Sequence, residues 1–357
     1  MSAALPNKSV LINALRGAFV ADAASLGTHW IYDPKEMLKS VPSAEEPEFK
    51  DPPTPSFYSA EEFPGHYDVA GKLSPYGEQL LFVTEYLANL DKSLKTLNGE
   101  DMSQAFDSFL NSYTGRPDHA MKDFQENRKA SKKFPDSGAK DNQAHCFVKA
   151  LPVTCMFLGQ SNLLDEVETA IRVHQNDDMA VEFGQASAKV LQHVMMGNSL
   201  SSALELLVAN DGDVKKNVER AKSYSGKAES SLEALLLDVS HEIMKDKPDS
   251  PFYDLAGRSC ALPGSFLVPA YLFSQPEQLS YESALRQNIL GSGDTCGRCI
   301  WLGSVMSVVN NGVPESWLSN MHPDTMKQID SVVDKLVSKL VENGIVSDAK
   351  SGDDKEL

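Results

Sequence analysis

Near the amino terminus the chain reads RGAFVADAASLGTHWIYD, from Arg16 to Asp33. Apolar residues in this segment and just before it recur at the helical period, which predicts an amphipathic helix. Small residues on both sides of Asp22 would let other helices approach closely, and Gly27 would end the helix. The Asp22 carboxylate would then point into a central crevice. The alternative is an aspartate on the solvent face of the helix, where most lone acidic residues lie.

The helical period recurs through most of the chain, and no convincing strand alternation interrupts it. Three further stripes are clear: Leu80, Val83, Leu87 and Leu90; Trp301, Val305, Val308 and Val309; and Met326, Ile329, Val333, Leu336, Val337 and Leu340. Other helices are expected at about 102–113, 145–158, 162–173, 179–196, 200–209, 229–244, 264–273 and 279–290. We therefore predict an all-α fold, a compact multi-helix single domain over residues 1–346.

Two segments depart from this pattern. Residues 41–76 carry seven prolines and show only weak periodicity, which predicts a long loop. Loops of that length inside compact domains are usually functional or mobile. The segment 347–357 is charged and contains glycine, so we expect a disordered tail.

Charge and composition restrict the partners. The chain has 50 acidic and 33 basic residues, a formal net charge of −17, and no basic patch. Nucleic acid and anionic membranes would be repelled, so we expect neither as a partner. The start of the sequence lacks a basic segment followed by an apolar run, which favours a cytoplasmic protein. Five cysteines in so long a chain indicate reduced thiols rather than a disulfide framework.

A second acidic candidate lies near the other end, in Gly291-Ser292-Gly293-Asp294-Thr295. The two glycines allow a sharp turn before the helix that contains Trp301. Oxygen atoms of Asp294 and Thr295 could then bind a hard cation. The alternative is simple helix capping, because helix starts far outnumber metal sites.

Two weaker motifs have plain structural alternatives. Cys296 and Cys299 have the CxxC spacing of thiol redox enzymes, but the strand that such a motif follows is missing, so helix packing is the favoured interpretation. His174 lies in His174-Gln175-Asn176-Asp177-Asp178, at the junction of two expected helices. It could act as a base or orient a ligand. A histidine at a helix C-terminus more often interacts with the helix dipole.

From about residue 10 to 343 the chain resembles the ADP-ribosylglycohydrolase family, and in particular the branch that contains the J-crystallins of jellyfish lenses. Three motifs carry the resemblance: residues 21–33, Tyr76-Gly77-Glu78-Gln79, and Ala284-Leu285-Arg286 leading into residues 291–295. The resemblance implies a helical fold in which distant carboxylates bind two magnesium ions. Those ions hold ribose hydroxyls and position the attacking water.

The chain departs from the family pattern at both metal motifs. Pro75-Tyr76-Gly77-Glu78 stands where the family has a Thr-Asp-Asp-Thr type motif. In Asp294-Thr295-Cys296-Gly297, a cysteine replaces the second aspartate of the late motif. A thiol is a poor ligand for so hard an ion as magnesium. The resemblance therefore leaves four donors and at most one magnesium ion: Asp22, Glu78, Asp294 and Thr295.

The resemblance implies hydrolysis of a glycosidic bond to ribose, with Asp22, Glu78 and Asp294 as catalytic groups in a shared cavity. We expect a nucleoside- or sugar-type ligand, because stacking surfaces and polar groups recur near the motifs. The expected ligand-binding residues are His29, Trp30, Tyr32, Tyr76, Gln79, His174 and Asn176. One alternative is a catalytically inactive, J-crystallin-like structural or ligand-binding protein. The other is a thiol redox protein built on Cys296 and Cys299. Assembly into a homo-oligomer stays open.

Overall fold

In the computed structural model, described residues are 5–41, 43–52, 58, 62–91, 95–209, 211–226 and 231–348. Within these ranges the secondary structure is helical, and the only extended pairings are four isolated bridges. The predicted all-α class is confirmed.

The α-helices of the described residues are α1 Lys8–Ser25, α2 Pro34–Ser40, α3 Pro75–Asn89, α4 Gly99–Ser112, α5 His119–Lys129, α6 His145–Met156, α7 Leu163–His174, α8 Asp178–Met195, α9 Leu200–Val208, α10 Asp213–Tyr224, α11 Leu232–Ile243, α12 Gly264–Phe273, α13 Tyr281–Leu290, α14 Thr295–Val309, α15 Glu315–Leu318 and α16 Pro323–Glu342. Short 3₁₀ turns cover Leu26–Thr28 and Ala256–Arg258.

The apolar stripes predicted their helices with small errors at the ends, whereas α2, α5, α10 and α15 were not predicted. Helix α5 buries only Ala120, Met121 and Phe124, and α10 is rich in charged residues. Such helices give a weak periodic signal because most of their surface faces water. The described residues of the 41–76 segment contain no helix before Pro75.

Helices α1 and α14 lie against each other at the centre of the molecule. A Cβ atom added to Gly17 would lie 2.0 Å from Ser307 Oγ, and one added to Gly303 would lie 2.5 Å from Ala21 Cβ. Small residues are therefore required at this crossing, as the sequence suggested for α1. The segment Lys8–Thr28 is long and apolar enough to span a membrane, but 78% of its apolar window is buried inside the protein, as in a core helix.

The two ends of the described chain meet. The Lys8 amide donates to the Ser347 carbonyl at 2.9 Å, and the Ser347 amide donates to the Pro6 carbonyl at 2.8 Å. Ser347, the first residue of the tail expected to be disordered, is therefore held in place. Asp348 is also described and pairs with Lys8, whereas residues 349–357 of that prediction fall outside the described ranges.

The positions singled out in the sequence lie where several helix ends converge. Asp22 lies in the last turn of α1, and Ser74 is the N-cap residue of α3. Asp118 is the N-cap residue of α5, and Asp294 has that position in α14. His145 begins α6. Chain segments far apart in sequence thus place polar side chains in one region of the interior.

Candidate functional site

Asp22 is fully buried and holds the start of α3. Its Oδ2 accepts the Ser74 amide at 2.8 Å, and its Oδ1 accepts the Ser74 hydroxyl at 2.5 Å. Gly77 leaves room for this contact, because a Cβ atom there would lie 2.2 Å from Asp22 Oδ2. The solvent-face alternative for Asp22 is wrong. Both carboxylate oxygens are engaged in a contact that joins α1 to α3.

Asp294 is also fully buried, at the end of a sharp turn. Ser292 and Gly293 have φ values of 59° and 73°, in the left-handed region. A Cβ atom on Gly293 would lie 2.2 Å from the Arg258 carbonyl oxygen. The Gly293 amide donates to Ile31 O at 2.7 Å, and its carbonyl accepts the Trp30 amide at 2.8 Å. The turn thus places Asp294 beside the segment that follows α1.

Burial shifts both carboxyl groups toward neutrality. It raises the pKa of Asp22 to about 7, although the bonds from Ser74 favour the charged form. It also raises the pKa of Asp294 to about 7, against the nearby Arg298 guanidinium, which lowers it. A carboxyl group with such a pKa exchanges its proton near neutral pH, which suits a general acid.

Glu78 lies in the first turn of α3, but its carboxylate makes contacts different from those of Asp22 and Asp294. Its Oε1 lies 2.5 Å from His66 Nδ1, and its Oε2 accepts the hydroxyls of Tyr67 at 2.8 Å and Tyr113 at 2.5 Å. It lines a cavity of about 460 Å³ to which neither Asp22 nor Asp294 contributes. The negative charge of Glu78 nevertheless helps to raise the pKa of Asp22. The three carboxylates are thus neighbours, but the cavity that Glu78 lines is not lined by Asp22 or Asp294.

Three of the four donors expected for magnesium are already engaged, and the fourth, Asp294, keeps one oxygen without a hydrogen-bond partner in the described structure. The Asp22 oxygens accept bonds from Ser74, and the Glu78 oxygens accept three other donors. The Thr295 hydroxyl is turned toward the Ser25 carbonyl at 3.4 Å. Across the residues that the structure describes, no three His, Cys, Asp or Glu side chains are grouped to hold a metal. Because magnesium needs near-octahedral oxygen coordination, this arrangement does not fit the expected ion.

A polar cluster surrounds the Tyr76 ring. His145 stacks on it with ring centroids 4.7 Å apart, and His29 meets it edge-on at 5.8 Å. The Tyr76 hydroxyl lies 3.5 Å from Asp294 Oδ2, and His29 Nε2 lies 3.5 Å from Asp294 Oδ1. On the other side, His145 Nε2 lies 3.5 Å from Asp118 Oδ2. Two Asp–His pairs therefore flank one tyrosine.

Lys149 extends this cluster deeper into the protein. Its Nζ donates to Gln79 Oε1 at 2.9 Å and lies 2.7 Å from His174 Nδ1. Gln79 Nε2 in turn donates to Asp118 Oδ2 at 3.1 Å. Burial lowers the pKa of Lys149 to about 7 and holds that of His174 well below its usual range. We refer to this group as the Tyr76 cluster: His29, Tyr76, Gln79, Asp118, His145, Lys149, His174 and Asp294.

Several polar atoms of the Tyr76 cluster are buried and lack hydrogen-bond partners in the described structure. They are Asp294 Oδ1, His29 Nε2, His174 Nε2 and both ring nitrogens of His145. Buried polar atoms in proteins are nearly always paired, so each exception needs an explanation. Catalytic hydrogen bonds are often long in unliganded sites and shorten when a substrate binds. A ligand or water that reached these atoms beside the Tyr76 ring would supply the missing partners.

The remaining ligand-binding candidates, Trp30, Tyr32 and Asn176, do not lie together. Trp30 stacks on His29 with centroids 4.7 Å apart and has the Arg116 guanidinium 4.3 Å above its ring, so it covers the cluster. Burial raises the pKa of Tyr32, whose carbonyl accepts the Ser292 hydroxyl at 3.0 Å. Asn176 lies away from the cluster, in a separate cavity beside Lys140.

Sequence reasoning missed Asp118, His145 and Lys149. His145 and Lys149 are four residues apart on α6, so they lie on one helix face. A single lysine in an otherwise apolar helix was the available signal, because burying a lysine requires polar partners. Asp118 gave no such signal, because the sequence did not predict α5. His174 is the last residue of α7, fully buried and in contact with Lys149.

The CxxC pair belongs to the core. Cys296 and Cys299 are fully buried on successive turns of α14, and all five cysteines are free. Burial raises the pKa of both thiols well above the usual range. Because the thiolate is the reactive form, the burial and the raised pKa values of these thiols agree with helix packing and not with redox catalysis.

Comparison with known proteins identifies the class. The ADP-ribosylglycohydrolase family model matches residues 6–346, nearly the whole chain. The chain therefore belongs to the ADP-ribosylglycohydrolase family, as the three sequence motifs indicated.

Its relatives include two jellyfish proteins. Crystallin J1A of Tripedalia cystophora is 24% identical over 320 residues, which is 86% of this chain and 90% of that protein. Crystallin J1B of the same animal is 21% identical over the same coverage. A solved structure described as an ADP-ribosylglycohydrolase-related protein complex aligns with a TM-score of 0.63 at 14% identity, covering 93% of this chain and 98% of that one. At that identity the match shows a shared fold.

Proposed function

We propose that this protein hydrolyses a glycosidic bond to ribose in an ADP-ribose-type or nucleoside-type ligand, and that the Tyr76 cluster is its site. The observation that carries the proposal is the group of unpartnered buried polar atoms between Asp294 and Asp118. Family membership supports the ligand class. The expected catalytic role is kept for Asp294, whereas Asp22 positions α3 through Ser74.

Glycosidic hydrolysis needs an acid for the leaving group and a base for water. Asp294 suits the acid, because its pKa of about 7 leaves much of it protonated at neutral pH. His145 suits the base, because burial lowers its pKa and keeps the ring neutral. Asp118 would orient that ring from 3.5 Å. Ligand access would require Trp30 and Arg116 to move aside.

The test is release of ADP-ribose or ribose from three substrates: ADP-ribosyl-arginine, an ADP-ribosyl-serine peptide and a ribonucleoside. We expect Asp294→Asn and His145→Ala to lower kcat/KM by about 10² or more, the usual contribution of a general acid or base. Asp123→Asn, on the exposed face of α5, is the matched control and should leave the rate unchanged. No product from any substrate at excess enzyme, or full activity of Asp294→Asn, would contradict the proposal.

The second candidate is a catalytically inactive, crystallin-like structural or ligand-binding protein. It is favoured by the engagement of both Asp22 oxygens with Ser74 and by the similarity to crystallin J1A. The net charge of −17 would also favour solubility at high concentration. This candidate predicts that ADP-ribose raises the melting temperature without being consumed, and that Asp294→Asn binds it as well as the natural chain does.

A further inference from the structure

A second cavity lies on the outer face of α3, beside Glu78. Its volume is about 460 Å³, within the range of small-molecule sites. Its lining includes the face of α3 that carries Leu81, Phe82 and Glu85, and beside it Phe109 and Tyr113 at the end of α4. The start of α16 and four residues of the preceding loop complete it: Gly65, His66, Lys72 and Leu73. None of its lining residues belongs to the Tyr76 cluster.

Stacked aromatic rings form one wall of this cavity. The Phe82 and Phe109 rings have centroids 4.7 Å apart at an interplanar angle of 24°, and Tyr113 follows at 5.2 Å from Phe109. All three are only partly buried. The faces of aromatic rings carry negative electrostatic potential, so an accessible row of them attracts cations.

The charged residues around the cavity favour the same sign of ligand. Glu78 contributes a carboxylate that is 18% exposed, and Glu85 and Asp324 are exposed at the rim. Among the lining cations, the Lys72 ammonium donates to Asp68 at 2.6 Å and to the Gly65 carbonyl at 2.7 Å.

His66 does not reverse this balance. Its Nδ1 lies on Glu78, and its Nε2 lies 2.9 Å from Thr114 Oγ1. His322 lines the cavity as well, but Lys72 is already paired with Asp68, so the three lining carboxylates face at most two further cations, His66 and His322. An anionic ligand would therefore be repelled, and a purely apolar one would gain nothing from the rim.

We propose that this cavity binds a small organic cation, a methylated or quaternary ammonium group on a short apolar body. The cationic head would lie against the Phe109 and Tyr113 faces, within reach of Glu85 and Asp324 at the rim. This site is independent of the proposed hydrolysis, because the chemistry above uses neither Glu78 nor any other lining residue.

The test is calorimetric titration with choline, its neutral isostere 3,3-dimethylbutan-1-ol, and the anion 3,3-dimethylbutanoate, all at low ionic strength. Choline and the alcohol have the same shape and differ in charge. We expect choline to bind about 5-fold or more tightly than the alcohol, the ratio that a cation–π contact of about 1 kcal/mol gives. The anion should not bind measurably.

Variants locate the binding. Phe109→Leu keeps apolar volume but removes the ring face, and Glu85→Gln removes one rim charge; each should weaken choline binding several-fold. Glu277→Gln makes the same charge change at an exposed position outside the cavity and should have no effect. Equal binding of choline and alcohol, tighter binding of the anion, or no choline binding up to about 10 mM would each overturn the proposal. Because this comparison of ligands uses the natural chain, it holds even if a variant fails to fold.

Discussion

Ser74 binds Asp22 with two of its own donors, the backbone amide to Oδ2 and the hydroxyl to Oδ1. The same hydroxyl accepts the Tyr76 amide at 3.1 Å and so caps α3. One serine therefore links the last turn of α1, the start of α3 and the first residue of the Tyr76 cluster on that helix. Asp22, which belongs to the first family motif, therefore holds the start of α3 against α1, a role that a solvent-exposed acid could not have.

Ser74→Ala should lower the free energy of unfolding by about 1–3 kcal/mol, because it removes a helix cap and leaves one oxygen of a buried carboxyl group without its donor. Ser231→Ala is the matched control, since Ser231 caps α11 at an exposed position and makes no bond to a buried acid. Urea unfolding measures both. Equal losses in the two variants would show that the Asp22 contact adds nothing to an ordinary cap.

Asp294→Asn should change the pH dependence of stability. Burial raises the folded-state pKa of Asp294 to about 7 from its ordinary value of 3.8, so between these pH values the folded protein binds the additional proton. The natural chain therefore loses stability as pH rises through this window. The amide cannot ionise, so the melting temperature of the variant minus that of the natural chain should be larger at about pH 8 than at about pH 5. Asp330→Asn, at a partly exposed carboxylate, is the control. An identical difference at both pH values would contradict the raised pKa.

Magnesium should have little effect on thermal stability. A ligand that binds only the folded state raises the melting temperature, but the oxygens of Asp22 and Glu78 already accept protein donors. We expect about 10 mM magnesium to shift the melting temperature no more than the same concentration of calcium does. A shift specific to magnesium that disappears in Asp22→Asn would restore the single-ion site that the sequence suggested.

The sequence predicted the fold well because its signals were local. Apolar stripes identified the buried helices, and the small residues around Asp22 indicated a close crossing, which Gly17 and Gly303 make with their partners. Tyr76 and Gln79 of the second motif, and His174 from the predicted helix junction, lie together in the Tyr76 cluster. These features depend on helical period and backbone geometry, which a single sequence expresses directly.

The candidate site was harder because it depends on long-range contacts. Helical phase alone could have separated Glu78 from the core, since it shares a face with Phe82 and Glu85 while Gln79 and Val83 face inward. Helical phase could not have predicted that Lys149 pairs with His174. This pairing joins two helices whose packing is set by the whole fold, and so it could be recognised only in three dimensions.

Lys149→Met tests that pairing. Burial lowers the folded-state pKa of Lys149 to about 7 from its ordinary value of 10.5. The cost of holding the ammonium in the interior is therefore fully present below about pH 7 and diminishes as pH rises toward 10.5. Methionine keeps most of the volume without the charge. The melting temperature of the variant minus that of the natural chain should therefore be larger at about pH 6 than at about pH 9.5. Lys122→Met, at an exposed position on α5, should show no such trend. A difference that does not depend on pH would mean that Lys149 keeps its ordinary pKa, and that the bonds to Gln79 and His174 fully compensate the buried charge.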